Sequence, residues 1–319
     1  MRIAFVGKGG SGKTTAAAVF SRYLAELGRP VLAIDADINQ HLGQALGHGG
    51  APPRALGTDL GWLKDHLRGT NPRISSAEAM IKTTPPGWGS RMVGLAPDGE
   101  LLARYSGVAG GVRYLVTGEF DEADIGVSCY HSKTGAVELY LNHLLDGPGE
   151  YVVVDMTAGA DAFASGLFTR FDLTVLVSEP TRRGVGVYRQ YAEHAPGHDV
   201  ALRVLGNKVA DTEDVDYLRD RVGDALIGWL ERSAWVRAAE RGDVAPITTL
   251  EPANITALRA VLTTLDEQQR DWAAYHGSTV AFHLRNAVAW GNQAVGTDLA
   301  AQVDPHFMPG PGADRAMSA

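Results

Sequence analysis

The stretch Gly7-Lys8-Gly9-Gly10-Ser11-Gly12-Lys13-Thr14-Thr15 constrains this chain more than any other. It follows the apolar run Ile3-Ala4-Phe5-Val6, which reads as a buried strand, and precedes residues 16–27, which read as a helix. A strand, a glycine-rich turn and a helix N-terminus in that order build a cradle for phosphate. Glycines let backbone N–H groups turn inward and approach an anion closely. The helix dipole adds positive potential at the same point. In the pattern G-x-x-x-x-G-K-[ST], the backbone of Gly9, Gly10, Ser11 and Gly12 wraps the phosphates and Lys13 supplies a point charge for the β- and γ-phosphates. The Thr14 hydroxyl suits Mg²⁺, and Thr15 reaches the α-phosphate.

Lys8 makes the motif more specific, because an ordinary phosphate loop needs no lysine this early. K-G-G-x-G-K-T-T resembles the deviant Walker A motif of the MinD/ParA, nitrogenase iron protein and CooC group of ATPases. The resemblance implies two subunits facing each other across two ATP molecules, with Lys8 crossing to the partner's phosphates in the manner of an arginine finger. The plain alternative is a solvated loop lysine.

The second strand, Val31-Leu32-Ala33-Ile34, ends in Asp35-Ala36-Asp37-Ile38-Asn39-Gln40. Carboxylates at the carboxyl end of a parallel strand sit where α/β sheets bind ligands. Asp37 is placed to orient an attacking water or accept its proton, and Asp35 to help hold the Mg²⁺ shell. The segment resembles the family's switch I, D-A-D-x-N; the other reading of either aspartate is a helix N-cap. Tyr151-Val152-Val153-Val154-Asp155 is an apolar strand ending in a carboxylate, the Walker B arrangement, with Asp155 holding Mg²⁺ through water. Met156-Thr157-Ala158-Gly159 then resembles switch II, D-M-x-A-G, in which Gly159 presents its N–H to the γ-phosphate.

Residues 173–177 read as a further buried strand, followed by Ser178-Glu179-Pro180-Thr181-Arg182-Arg183, similar to the family's E-P-x-R-R. Arg182 and Arg183 either contact nucleotide or partner subunit, or form a solvated helix start. Residues 200–205 read as a strand and Gly206-Asn207-Lys208 as the loop after it. The resemblance implies that Asn207 pairs with adenine, its amide offering both donor and acceptor, while the stem of Lys208 covers the base. Pro246 falls where relatives have a loop lining the adenine pocket.

Ser128-Cys129-Tyr130-His131 precedes a helix expected over 134–145. The spacing Cys-x-His lets a thiolate and an imidazole reach one metal, and two copies across a symmetric dimer supply Cys₂His₂. A lone packed cysteine beside a surface histidine is the other reading. The stretch resembles the part of CooC-type ATPases that carries C-x-C; those proteins help insert nickel into carbon monoxide dehydrogenase and bind metal between subunits. Here His131 replaces the second cysteine, which leaves Zn²⁺, Ni²⁺ and copper open.

The expected fold is α/β: a doubly wound, mainly parallel sheet with helices on both faces and a C-terminal helical extension. The ATPase is expected over 1–268, including a helix over 251–268, the extension over 269–303 and a disordered tail over 304–319. Residues 46–111 read as an elaboration of the sheet, with a helix over 59–67 and strands over 92–95 and 112–116. Trp272, Tyr275 and Phe282 share a helical stripe that packs on its own helix, on the ATPase body or on a partner. Lys+Arg 29 against Asp+Glu 37, net −8, argues against a nucleic-acid partner. One cysteine, no leader and no apolar run near membrane length point to a cytoplasmic protein without a membrane partner. The function expected is ATP hydrolysis in a homodimer serving a protein client, in CooC-like metal-cofactor maturation. A ParA/MinD-type positioning ATPase and a nucleotide-gated scaffold are the alternatives.

Overall fold

The computed structural model describes residues 1–37, 39–96, 99–119, 131–159, 166–198 and 200–310. Its strands are β1 (Arg2–Gly7), β2 (Val31–Ala36), β3 (Gly107–Ala109), β4 (Val112–Val116), β5 (Tyr151–Met156), β6 (Leu173–Ser178), β7 (Leu202–Val209) and β8 (Leu226–Glu231). They form one sheet in the order β3-β4-β2-β5-β1-β6-β7-β8. Every pairing is parallel except β3 with β4. The central strands are apolar on both faces because both faces are covered. Ile3 and Phe5 of β1 enter one core while Ala4 and Val6 enter the other.

The helices are α1 (Lys13–Glu26), α2 (Leu42–Ala45), α3 (Leu60–Arg68), α4 (Glu100–Tyr105), α5 (His131–Asn142), α6 (Arg182–His194), α7 (Thr212–Val222), α8 (Ala234–Ala239), α9 (Pro252–Asp266), α10 (Trp272–Asn286) and α11 (Asn292–Val295). Phe20 and Leu24 of α1 and Leu258, Val261 and Leu265 of α9 fill the first core. Leu63 and Leu67 of α3, Val137 and Tyr140 of α5 and Tyr191 of α6 fill the second. Among the described residues, no helix is long and apolar enough to cross a membrane.

Three stretches differ from their sequence reading. Residues 92–95 make no strand; Val93 alone bridges to Leu144. The antiparallel edge is instead β3 with β4, joined by Gly110 and Gly111 at φ 57° and 79°. A two-residue turn with both φ positive matches the twist of a hairpin and favours glycine at both places. Third, part of the expected disordered tail is packed. Phe307 is buried and stands edge-on to Trp88 at 5.6 Å, and Asp304 accepts from the Trp88 N–H. The apolar surface of Phe307 gives this segment a reason to fold back that its Gly and Pro content conceals.

The aromatic stripe of α10 docks on the body of the molecule. Tyr275 donates to the Leu141 carbonyl at 2.8 Å and receives a hydrogen bond from Arg2, and Phe282 packs on Phe168. A buried ion network anchors the same junction: Arg270 bridges Asp146 and Asp172, and Asp146 also pairs with Arg2 at 2.8 Å. Burial works against the Asp146 charge, but these guanidinium groups outweigh it and hold its carboxyl far below the ordinary aspartate range.

Candidate nucleotide site

Strands β1, β2, β5 and β7 end on the same edge of the sheet, and α1 starts there. The chain crosses from β1 to β2 on one side, and later from β5 to β6 on the other side of β1, which opens a crevice at the carboxyl end of β1. Gly12 caps α1 at φ 92°, and a Cβ there would lie 2.2 Å from the Asn207 side-chain nitrogen. Glycine is therefore required twice over, by its backbone angle and by the approach of Asn207.

The loop borders a cavity of about 750 Å³, within the range that holds small ligands. Gly9, Gly10, Gly12, Lys13, Thr14, Thr15, Asp37, Ala158, Asn207 and Lys208 line it from the phosphate side. Leu230, Arg232, Ser233, Val236, Arg237 and Asn254 line the far side. Ser11 is buried within the loop, and its carbonyl accepts from Asn207 Nδ2 at 2.7 Å. Asn207 and Lys208 lie inside β7 and not in a loop after it. The pairing with β8 is irregular between Gly206 and Val209, and Lys208 adopts φ 59°. That bulge aims Lys208 Nζ at the Gly10 carbonyl and at Glu179, 2.7 Å from each.

The floor of the cavity is a charged cluster. Lys13 Nζ lies 2.7 Å from Asp37 Oδ2 and 3.8 Å from Asp155 Oδ1. Burial works against the Lys13 charge, but Asp155, Asp37 and Asp35 together hold its pKa above the ordinary lysine value. Burial would raise Asp37; its bonds to Lys13 and Asn39 outweigh this and keep it ionised below the usual range. Asp155 and Asp35 face each other across β2 and β5. Burial raises both, and the charge of Asp155 raises Asp35 further.

The two carboxylates nevertheless differ in what they offer. Asp35 accepts from the backbone N–H of Asp37 and of Leu42, so it braces the turn after β2 and the start of α2. Each oxygen of Asp35 thus carries one backbone hydrogen bond and keeps room for a second partner. Neither oxygen of Asp155 accepts a full hydrogen bond, although both are buried. A buried carboxylate left in this condition fits a hydrated cation held jointly with phosphate and the Thr14 hydroxyl.

Lys8 belongs to the loop but does not line the cavity; it is 37% exposed and 3.9 Å from Glu179. Gly159 follows β5 at φ 75°. Arg182 and Arg183 are exposed at the start of α6, where Thr181 supplies the cap. Pro246 does not line the cavity; its carbonyl accepts from the Trp235 indole at 3.2 Å and supports the wall from behind. Cys129 lies outside the described residues, and His131 is described only as the first residue of α5. Among the described residues, no group of three or more His, Cys, Asp or Glu is arranged to hold a metal ion. Sequence reasoning missed Arg232, Ser233 and Arg237, which follow β8 without any motif, and Glu179 as the shared partner of Lys8 and Lys208.

A parallel sheet, a glycine-rich loop opening α1 and aspartates at two neighbouring strand ends define a phosphate-loop nucleotide-binding protein. The chain belongs to the CobQ/CobB/MinD/ParA nucleotide binding domain family, whose model matches residues 3–289. It is 28% identical to the carbon monoxide dehydrogenase accessory protein CooC of Rhodospirillum rubrum, over 84% of this chain and 97% of that protein. An uncharacterised ATP-binding protein of Methanocaldococcus jannaschii is 27% identical over 71% of this chain and 81% of its own. The fold is shared with a ParA family ATPase from Chlorobium tepidum, TM-score 0.58 at 14% identity, covering 82% of this chain and 97% of that one. It is shared too with MinD of Pyrococcus horikoshii complexed with Mg-ADP, TM-score 0.55 at 17% identity, covering 84% and 99%.

Proposed function

We propose that this protein is an ATPase that closes as a homodimer around two ATP molecules and reopens on hydrolysis. The observation that carries the reading is the Lys13–Asp37–Asp155 cluster beside the phosphate loop, with Lys8 of the same loop exposed. A γ-phosphate entering the loop competes with Asp37 for Lys13. When Lys13 turns to the phosphate, Asp37 is released to orient a water and take its proton. The water oxygen bonds to the γ-phosphorus as the bond to the β,γ-bridging oxygen breaks, giving ADP and phosphate. Thr14 and Asp155 would hold Mg²⁺, which would neutralise charge on the phosphates. Gly159 offers its N–H to the γ-phosphate, Asn207 faces adenine, and Lys8 reaches the partner subunit's nucleotide.

The role we assign is metal-cofactor maturation on behalf of a metalloenzyme client. The likeness to CooC over nearly the whole of that protein supports it, as does Cys129-x-His131 in the stretch that resembles its C-x-C segment. One Zn²⁺ or Ni²⁺ would be held between subunits, two ligands from each. Phosphate release with Mg²⁺ tests the ATPase reading: turnover is expected from wild type and absent from Lys13→Ala, and no turnover in wild type would overturn it. Equilibrium dialysis with zinc and nickel tests the second part, using wild type, Cys129→Ser and His131→Ala with and without a non-hydrolysable ATP analogue. Affinity is expected to rise with the analogue and fall in both variants; equal stoichiometry and affinity in all three would remove the metal role.

A further inference from the structure

Gly159 is where a γ-phosphate would be sensed, yet packing does little to fix it. Among the described residues, no heavy atom outside its chain neighbours lies within 4 Å of the place a Cβ would occupy, and its φ is 75°. Glycine also leaves the two flanking peptide planes freer than any other residue would. Among the described residues, the group that restrains its carbonyl is the Tyr191 phenol, which donates to Gly159 O at 3.0 Å. Tyr191 projects from α6 and is 2% exposed, set in the second core with Ala4, Val6 and Met156. Its ring is therefore held by the sheet on which the site is built, and its hydroxyl is aimed out of that core at one loop carbonyl.

We propose that Tyr191 is a positioning residue for the switch after β5: by holding the Gly159 carbonyl it restricts ψ at Gly159 and so narrows the paths open to the backbone that carries the Gly159 N–H. The proposal deepens the ATPase reading and rests on it for the effect on turnover. The same helix reaches the other end of the machinery. Glu179, two residues before the Thr181 cap of α6, holds Lys208 at 2.7 Å and Lys8 at 3.9 Å. A shift of Gly159 toward phosphate thus pulls on a helix whose start carries the partner of the early lysine.

Tyr191→Phe removes the hydroxyl and keeps the ring, so the core stays filled. Two measurements decide the matter, each on the full chain. The first is amide hydrogen exchange in the nucleotide-free protein. Exchange over residues 157–159 is expected to speed about two- to tenfold, the worth of one hydrogen bond, while β5 and the phosphate loop stay unchanged. The second is steady-state kinetics of Tyr191→Phe, Gly159→Ala and the double variant. A fall in kcat of about two- to tenfold with KM within about twofold is expected, and the double variant should match Gly159→Ala alone because both act on the backbone torsions of Gly159. Unchanged exchange at 157–159, a rise in KM equal to the loss in kcat, or additive effects would each overturn the proposal. An inactive wild type would overturn the ATPase reading instead, and the exchange measurement would still decide whether Tyr191 moors Gly159.

Discussion

The Lys13 ammonium lies 2.7 Å from the Asp37 carboxylate, joining the phosphate loop to the end of β2. In the proposed mechanism, the side chain that would meet phosphate and the one that would handle water are thus each other's partners, and their separation on nucleotide binding would free both. Lys13→Ala is expected to abolish tight ATP binding, since the phosphates lose their main side-chain cation. Asp37→Asn should keep or improve ATP affinity, because it removes the competitor for Lys13, while turnover falls by about 10²-fold or more. Calorimetric titration and phosphate release check the pair; wild-type turnover in Asp37→Asn would remove Asp37 from the mechanism.

Asp155 should give a different phenotype. Its buried oxygens accept no full hydrogen bond, and one lies 3.8 Å from Lys13. Asp155→Asn is expected to raise the Mg²⁺ concentration needed for half-maximal nucleotide binding, with a smaller effect in saturating Mg²⁺. Burial raises the Asp155 pKa, so the protonated, non-ligating form appears at higher pH than for an ordinary aspartate. Turnover should accordingly fall on the acid side of neutrality, before the ordinary carboxylate range is reached. A profile flat down to about pH 4, the ordinary range, would contradict this.

Lys8 is separable from Lys13. It is more than a third exposed and stands 3.9 Å from Glu179, so Lys8→Ala costs the isolated subunit little. Nucleotide affinity measured under dilute, monomeric conditions should change by less than about threefold, the worth of a surface ion pair. ATP hydrolysis should be lost. Equal loss of binding in Lys8→Ala and Lys13→Ala would count against a role across the dimer.

The junction between the body and α10 is predicted to carry much of the stability. Asp146→Asn leaves Arg2 and Arg270 buried with less counter-charge and should cost about 3–5 kcal/mol. The Asp146 pKa is depressed in the folded state, so the stability it contributes is present above the unfolded value near 4 and is lost as pH falls through the acid range. Denaturant unfolding of wild type and Asp146→Asn at neutral and acid pH checks both statements; the gap between them should narrow on acidification. Cutting the chain before Arg270 should be similarly damaging, because it removes the bridge from Asp146 to Asp172.

Much of the site could be read from the sequence because its parts are contiguous. The phosphate loop, Asp37 and Asp155 each lie at a strand end, and an apolar run announces each strand. Asp35 shows where such reading stops. Its position at the end of β2 is legible, but which backbone N–H groups return to its oxygens depends on the turn that follows. Asn207 and Lys208 were legible as residues and misplaced as a loop, since a bulge within β7 has no local signature. The β3–β4 hairpin did have one, Gly110-Gly111 between apolar residues. Tyr191 had none: a tyrosine on a helix does not say which distant carbonyl it meets.

In the proposed cycle, ATP closes a homodimer through Lys8, and hydrolysis through Asp37 opens it. Molar mass by light scattering on Asp37→Asn, with ATP and Mg²⁺, with ADP and Mg²⁺, and in combination with Lys8→Ala, checks both steps. Mass is expected to double with ATP alone, to stay that of one chain with ADP, and to stay so with ATP when Lys8 is also replaced. A mass that ignores the nucleotide, or doubles without Lys8, would contradict it.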